Sequence, residues 1–357
     1  MRTVVQRVKL AKVLITGITH NDSDVQAGDL FIALPGAKRH GAEFATNAQK
    51  QGAVAVVTDA AGAKLISGIP VLVVANPRLV AGRIAALFYG EPMRGLSGVA
   101  ITGTNGKTTV STLLYQIFEA AGRDCGLIGT VETRIGSEVI ASKRTTPEAT
   151  DLQALAAVMK ERHMRHLVIE ASSHAMTMHR LEGAHFAIAA FTNLTQDHLD
   201  FHGDMESYFL AKASLFKFSF ADLACINIDD AYGARLASTT ELPVITVSRF
   251  NPQAVWHFIE IDSQSKRVQL KIRGAAGILI ETSTSLARAA CFNASRTDMY
   301  ASCSSTYFPT RATLTVGFSF FTASTNFFHG LISGLRMAFS SSFLSINSPT
   351  PSFSRIN

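Results

Sequence analysis

The sequence has few cysteines, and none of its apolar stretches is both long and uninterrupted. The four cysteines are spread along 357 residues, and no two of them form a C-x-x-C pair. This usage is typical of a reducing cytoplasm, and it argues against a disulfide framework and against a cysteine zinc site. The first ten residues mix charge with valine and leucine, so no signal peptide is predicted. We expect a cytoplasmic protein without membrane insertion.

Basic runs interleaved with aromatic residues are also missing, although the net charge is +6. The sequence therefore does not predict a nucleic-acid partner. Binding of small phosphorylated ligands would explain part of this net positive charge. Another part comes from the C-terminal stretch, where no acidic residue follows Asp298 and no lysine follows Lys271.

Short apolar strands alternate with helical segments over most of the remaining chain. In the first segment, strands are predicted at 13–18, 30–34, 53–58 and 71–75, with helices at 41–51 and 78–88. A Gly-Glu-Pro break at 90–92 marks a domain boundary. Beyond it, strands are predicted at 125–130, 166–170, 187–192 and 223–228, a hairpin at 131–142, and helices at 108–121, 147–159 and 205–216. This alternation predicts an α/β fold with a doubly wound, mainly parallel sheet, and domains at 1–90 and 91–290 followed by a tail at 291–357.

The most informative motif is a glycine-containing turn between a strand and a helix at 99–109, with the sequence VAITGTNGKTT. Backbone N–H groups of such a turn, with the helix N-terminus, form a concave site that fits a phosphate chain. Lys107 would reach the terminal phosphates, and the Thr108 hydroxyl would hold Mg²⁺. Ile101 stands where the commoner phosphate loop has its first glycine, so this loop is a variant.

Polar residues follow other predicted strands of the same sheet. Glu170 ends one strand and His198 lies in the loop after another, where ligands bind in parallel sheets. Both types of side chain suit a Mg²⁺ site, directly or through water. Glu170 could instead be a capping carboxylate, and His198 a hydrogen-bonded loop histidine. From spacing alone, Lys212 is a solvated helix lysine and the stretch at 144–148 is a capping turn.

Four stretches, in this order, resemble the Mur ligases of peptidoglycan synthesis: ITGTNGKTT, RTTPEATDLQ, EASSHAMTMHRLEG and FTNLTQDHLDFHGDMESYFLAKASLF. Within that family they are most similar to the ligases that add a diamino acid to UDP-N-acetylmuramoyl-L-alanyl-D-glutamate. The stretch from Gly28 to Asp59 resembles the family's uridine-nucleotide domain. The resemblance implies an ATP-dependent amide ligase. ATP phosphorylates the D-glutamate side chain to an acyl phosphate, which the amino group of meso-diaminopimelate or L-lysine then attacks.

The resemblance also assigns roles to residues. Glu170 and His198 match metal ligands, together with Thr108, and Lys212 matches a lysine that is carbamylated and so contributes a carboxylate. Lys107, His198 and Lys212 are the expected catalytic residues. The UDP-linked dipeptide is expected on Thr145, Thr146, Ser172 and Arg180, and ATP on Gly103, Thr104, Asn105, Gly106, Lys107, Thr108 and Thr109.

Two departures from the family pattern are visible. The usual Asp-Ser-Arg of the first domain is replaced around Asn21–Asp24, so no single uridine contact is assigned. The family's third domain has no recognisable counterpart, and we expect that the reading frame has shifted near residue 295; a Ser/Thr-rich low-complexity tail with a function of its own is the alternative. We expect a monomer, and a chain that binds the UDP-linked dipeptide and ATP but ligates poorly or not at all. A non-catalytic nucleotide-binding remnant and a folylpolyglutamate-synthetase-like ligase are the alternatives.

Overall fold

The computed structural model describes residues 8–10, 13–36, 38–262, 267–274 and 279–285. The predicted tail at 291–357 lies outside the described residues. The strands within these ranges are β1 (Val8–Leu10), β2 (Val13–Ile15), β3 (Gly17–Thr19), β4 (Asp29–Ile32), β5 (Ala55–Thr58), β6 (Val71–Val73), β7 (Ser97–Thr102), β8 (Cys125–Ile128), β9 (Glu132–Ile135), β10 (Glu138–Ala141), β11 (His166–Glu170), β12 (Phe186–Phe191), β13 (Ala221–Asn227), β14 (Val244–Ser248), β15 (Trp256–Asp262), β16 (Arg267–Arg273) and β17 (Leu279–Ser285). The α-helices are α1 (Ala45–Lys50), α2 (Ala60–Ala63), α3 (Pro77–Phe88), α4 (Lys107–Ala120), α5 (Ala149–Glu161), α6 (Ser173–Thr177), α7 (Leu199–His202), α8 (Met205–Ala213) and α9 (Ala231–Thr239).

The N-terminal unit is a small parallel sheet in the order β3-β4-β5-β6, with a helix on each face. Alternate residues along β4 point to opposite faces, as the pleat of a strand requires. Ile32 packs toward α3, whereas Phe31 packs toward α1. Helix α3 begins at Pro77 because the Asn76 side chain accepts hydrogen bonds from two amides of its first turn.

The central unit is an 11-stranded sheet in the order β10-β9-β8-β11-β7-β12-β13-β14-β15-β16-β17. The pairs from β8 to β15 are parallel, and antiparallel strands extend the sheet at both edges. Along β7, Val99 and Ile101 pack with α4, whereas Ala100 belongs to the core formed with α5, α8 and α9 on the other face. Helices thus cover both faces, which confirms the predicted doubly wound fold.

Three details differ from the predicted elements. The single strand expected at 13–18 is wrong, because β2 and β3 belong to separate sheets and the chain between them bonds elsewhere, through Thr16 N to Gly28 O. The helix expected from Pro147 begins at Ala149, since Glu148 has an extended backbone at the N-cap. The antiparallel extension through β15, β16 and β17 was not predicted at all. Among the described residues, no helix is long and apolar enough to cross a membrane.

The two units meet through a backbone approach that leaves no room for a side chain. A Cβ atom on Gly82 of α3 would lie 1.8 Å from the carbonyl oxygen of Glu182, and one on Gly183 would lie 2.5 Å from the carbonyl oxygen of Gly82. Two ion pairs flank this contact, Arg78 with Glu148 and Arg83 with Glu182. The backbone contact and the two ion pairs together hold the N-terminal unit against the region that carries Glu148.

We expect Gly82→Ala to lower the free energy of unfolding by about 1–3 kcal/mol, because the new methyl group forces the two backbones apart. This opposes the gain of about 1 kcal/mol that alanine normally brings over glycine inside a helix. Urea titration measures the effect. Gly95→Ala is the matched control, because a Cβ there meets only Lys160 carbons at 3.7 Å or more. Equal stability of the two variants would contradict the close packing of Gly82 against the backbone of Glu182.

Candidate active site

The phosphate loop connects the end of β7 to the start of α4. Gly103 has a φ of +144° and Gly106 a φ of +85°, conformations that favour glycine. A Cβ atom on Gly103 would lie 1.9 Å from Thr192 Oγ1 and 3.0 Å from the carbonyl oxygen of Asn193. The first N–H groups of α4 have no acceptor within the helix, so this terminus can bind an anion.

The loop after β12 holds the phosphate loop in place. Asn193 accepts hydrogen bonds from two loop amides, Thr104 N to its backbone oxygen at 2.8 Å and Asn105 N to its side-chain oxygen at 3.0 Å. Thr192 Oγ1 donates to the backbone oxygen of Asn105 at 2.6 Å. Strands β7 and β12 are neighbours, and the chain leaves them toward opposite edges of the sheet. The motif therefore lies at the point in the sheet where ligands usually bind.

Two lysines converge on one carbonyl oxygen of this loop. Lys107 Nζ donates to the Gly103 oxygen at 2.9 Å and to the Thr104 oxygen at 3.0 Å. Lys212 Nζ donates to the same Gly103 oxygen at 2.8 Å, and its side chain is buried. Burial and then the neighbouring charge of Lys107 lower the pKa of Lys212 to about 6. Lys212 is therefore no solvated helix lysine, and much of it is a neutral amine at pH 7.

The Glu170 carboxylate lies beside Thr108, at the end of β11. In the register of the parallel pair, Glu170 is opposite Ile101, two residues before the loop. Thr108 Oγ1 donates to Glu170 Oε2 at 3.0 Å, and Thr130 donates to the carboxylate through both its backbone N and its hydroxyl, each at 2.9 Å. Glu170 is only 1% exposed, so these contacts hold a buried carboxylate in one orientation. The structure thus brings together two of the predicted metal ligands.

His198 lies in a separate histidine cluster, with its backbone in the left-handed region at a φ of +54°. Its Nε2 is 3.4 Å from Asp197 Oδ2, and its ring centroid is 4.9 Å from that of His174. His202 also packs against His174, with ring centroids 5.5 Å apart, and contacts Ser173 Oγ at 2.9 Å. In the described part of the chain, no three His, Cys, Asp or Glu side chains are grouped to hold a metal ion by themselves.

The predicted dipeptide residues lie along the same edge of the sheet. Thr146 Oγ1 donates to the backbone oxygen of Glu170 at 2.7 Å and accepts from Ser172 N at 3.1 Å. The Ser172 side chain caps α6 by accepting from Ala175 N. Thr145 Oγ1 lies 3.1 Å from Thr130 Oγ1. Thr108, expected at the ATP site, contacts the Glu170 carboxylate, and Thr146, expected at the dipeptide site, contacts the Glu170 backbone oxygen. Glu170 therefore lies between the two expected sites.

Arg180 belongs to a cluster of three arginines around the buried carboxylate of Glu148. The distances to this carboxylate are 3.0 Å from Arg180, 3.2 Å from Arg78 and 3.8 Å from Arg144. Burial lowers the pKa of Arg180, and its buried Nε has no hydrogen-bond partner among the described residues. With three cations in contact with one anion, the cluster has the charge to bind a further carboxylate.

Sequence reasoning missed several residues that hold this site together. Thr130 and Asn193 lie two residues beyond the ends of β8 and β12, so the rule that identified Glu170 at a strand end could have found both. Tyr208, whose OH is 3.2 Å from Thr104 Oγ1, is one helical turn before Lys212 and lies on the same face of α8. From sequence, Glu148 is only part of a capping turn, because no local signal shows that Arg78 and Arg180 join Arg144 around it.

Two models of one protein family match this chain. A family model described as the Mur ligase middle domain matches residues 101–294, and one described as the Mur ligase family catalytic domain matches residues 14–89.

The chain is 48% identical over 276 residues to the UDP-N-acetylmuramoyl-L-alanyl-D-glutamate--2,6-diaminopimelate ligase of Streptomyces coelicolor, covering 76% of this chain and 54% of that protein. It is 50% identical over 251 residues to the Streptomyces avermitilis protein of the same name, covering 70% of this chain and 49% of that protein. A solved structure of a ligase of this name has a TM-score of 0.65 and 26% identity, covering 78% of this chain and 57% of that one. The chain thus spans about half the length of the curated relatives it matches.

We expect Lys212→Met to raise the free energy of unfolding near pH 6, because the variant removes a buried amine that the folded state holds without its proton. The unfolded lysine keeps its ordinary pKa near 10.5, so the folded protein loses stability as pH falls from about 10 to about 6. The gain from the variant is therefore largest near pH 6, on the order of a few kcal/mol, and shrinks toward pH 10.

Urea titrations at pH 6, 8 and 10 in buffer depleted of carbon dioxide measure this dependence. Lys217→Met, the same change at an exposed lysine just beyond α8, is the control and should show no such trend. A stability difference between Lys212→Met and the original chain that does not change with pH would contradict the lowered pKa.

Proposed function

Since this chain belongs to the Mur ligase family, we propose that it acts in the ATP-dependent joining of 2,6-diaminopimelate to UDP-N-acetylmuramoyl-L-alanyl-D-glutamate. The observation that carries the proposal is the position of Glu170. Its carboxylate contacts Thr108 of the phosphate loop, and its backbone oxygen contacts Thr146 of the expected dipeptide site. Both curated relatives described above are named for this substrate and for diaminopimelate, which favours this reaction over the folate alternative.

Lys107 is the residue we assign to the transferring phosphate of ATP. Its Nζ donates to two carbonyl oxygens of its own loop. A charged phosphate oxygen at the N-terminus of α4 would be a stronger acceptor than these neutral oxygens. The reaction transfers the γ-phosphoryl group to the D-glutamate side-chain carboxylate and releases ADP. Lys107 would stabilise the charge that spreads over the phosphoryl oxygens during the transfer.

Thr108 and Glu170 are the residues that fit a Mg²⁺ ion. They are hard oxygen donors 3.0 Å apart at the phosphate end of α4, and Mg²⁺ sites of nucleotide enzymes use one or two such ligands together with substrate phosphates. Bound Mg²⁺ would neutralise charge on the ATP phosphates. We also assign His198 to the metal environment, as the family resemblance implies.

Lys212 is suited to carbamylation, because carbon dioxide reacts with the neutral amine and not with the ammonium ion. A pKa near 6 leaves much of this amine neutral at pH 7. The amine nitrogen would form a bond to the carbon of CO₂ and lose a proton, which gives a carbamate anion. That anion would lie close to the ammonium group of Lys107, since both side chains contact the Gly103 oxygen.

Arg180 is the residue we assign to a carboxylate of the dipeptide. The excess positive charge of the three arginines around Glu148 supports this role. Thr146 connects this cluster to Glu170, because its backbone oxygen accepts from Arg180 at 3.4 Å and its hydroxyl donates to the backbone oxygen of Glu170 at 2.7 Å. The diaminopimelate amino group would then attack the acyl phosphate, forming the amide bond and releasing phosphate.

The direct test measures binding of the two ligands separately, by isothermal titration calorimetry. The chain should bind UDP-N-acetylmuramoyl-L-alanyl-D-glutamate and, with Mg²⁺, the non-hydrolysable analogue AMP-PNP. Lys107→Ala should weaken AMP-PNP binding about 10-fold or more and leave dipeptide binding unchanged, since it removes a charge-assisted contact made only to the nucleotide. Arg180→Ala should do the reverse. Binding of neither ligand by the original chain would refute the proposal.

ADP release with ATP, the dipeptide and diaminopimelate separates the ligase from its non-catalytic alternative. Release that requires all three substrates would establish the ligase reaction in this chain. Binding of both ligands without release would favour a nucleotide-binding protein that does not ligate.

Carbamylation of Lys212 predicts a carbamate signal in the ¹³C NMR spectrum when ¹³C-bicarbonate is added at pH 7. Exposed lysines are protonated at this pH and contribute little. Lys212→Arg should abolish the signal, because a guanidinium group does not react with CO₂ under these conditions. A spectrum that is the same for Lys212→Arg and the original chain would exclude a carbamate at this position.

A further inference from the structure

Thr130 binds the Glu170 carboxylate with two different groups. Its backbone N donates to Oε1 and its hydroxyl donates to Oε2, each at 2.9 Å. Two donors from one residue fix both the position and the tilt of the carboxylate plane. Gly129 is what allows this approach, since a Cβ atom there would lie 2.5 Å from Glu170 Oε1. Thr130 therefore sets the orientation in which Glu170 meets Thr108.

The same hydroxyl also reaches the dipeptide side of the site. Thr130 Oγ1 lies 3.1 Å from Thr145 Oγ1. The one hydroxyl proton of Thr130 is directed at two acceptors, Glu170 Oε2 at 2.9 Å and Thr145 Oγ1 at 3.1 Å, and is shared between them. The result is a continuous hydrogen-bonded chain from Thr145 through Thr130 to Glu170, and Thr108 contacts the same carboxylate from the phosphate loop.

We propose that Thr130 is a positioning residue that couples binding of Mg²⁺–nucleotide to binding of the UDP-linked dipeptide. The inference rests on the proposed function, which places the nucleotide at Thr108 and Glu170 and the dipeptide at Thr145. A dipeptide that binds the Thr145 oxygen leaves the Thr130 proton entirely to Glu170, and the nucleotide then meets a carboxylate that is held more firmly in its binding orientation. By thermodynamic linkage, the nucleotide strengthens dipeptide binding by the same factor.

The test compares two substitutions of Thr130 that differ in one group. Thr130→Val keeps the shape and the backbone N–H but removes the hydroxyl, whereas Thr130→Ser keeps the hydroxyl. Thr130 is exposed at the rim of the site, so neither change disturbs the core. The dissociation constant of AMP-PNP with Mg²⁺ is measured by calorimetry with and without saturating UDP-N-acetylmuramoyl-L-alanyl-D-glutamate. ADP binding without Mg²⁺ is measured for each protein as a control of the phosphate loop.

In the original chain we expect the dipeptide to tighten AMP-PNP binding about 5-fold or more, within the usual range of coupling between two sites. Thr130→Ser should keep this factor, and Thr130→Val should reduce it to about 1 while leaving metal-free ADP binding unchanged. If Thr130 had a purely structural role, Thr130→Val would weaken both AMP-PNP binding with Mg²⁺ and ADP binding without Mg²⁺.

Three results would overturn the inference. The first is equal coupling in Thr130→Val and the original chain, and the second is loss of coupling in both variants, which would assign the effect to the methyl group. The third is an original chain that binds both ligands without coupling, which leaves the proposed function standing. An original chain that binds neither ligand overturns the proposed function and this inference with it.

Discussion

The site depends on the close approach between the phosphate loop and the loop that follows β12. Gly103 has no side chain because Thr192 Oγ1 occupies the position that its Cβ would take, 1.9 Å away. Two amides of the loop are bound to Asn193, so the loop is held before any ligand arrives. This contact fixes the carbonyl oxygen of Gly103 on which Lys107 and Lys212 converge, and it fixes the start of α4, where Thr108 reaches Glu170.

A second consequence is electrostatic. Burial and then the neighbouring charge of Lys107 lower the pKa of Lys212 to about 6. Beside Lys107, the phosphate loop therefore has an amine whose chemistry differs from that of an exposed lysine. Across the sheet edge, the arginines around Glu148 also leave an excess of positive charge. The phosphate loop and the arginine cluster around Glu148 therefore both carry positive charge that suits anions, and the Glu170 carboxylate lies between them.

Much of this arrangement could be predicted from local sequence, and the rest could not, for a physical reason. The phosphate loop, the end of β11 at Glu170 and the doubly wound sheet follow from patterns within a few residues of each other. The roles of Lys212 and Arg180 came only from the family resemblance, because their surroundings are formed by residues far away in the chain. The contacts of Thr130 with Glu170, and of Glu148 with Arg78 and Arg180, join residues from separate parts of the chain in the same way. The prediction of one strand at 13–18 is wrong because a run of apolar residues does not show that its two halves join different sheets.

The central claim is that nucleotide and dipeptide meet across Glu170. A crystal structure of the chain with Mg²⁺, AMP-PNP and UDP-N-acetylmuramoyl-L-alanyl-D-glutamate tests it most directly. We predict that the phosphates lie at the N-terminus of α4 with Lys107 turned toward them, and that the metal lies beside Thr108 and Glu170. The D-glutamate side chain should face the γ-phosphate, with another dipeptide carboxylate on Arg180. A nucleotide bound away from residues 103–109, or a dipeptide whose D-glutamate does not face the γ-phosphate, would contradict the account.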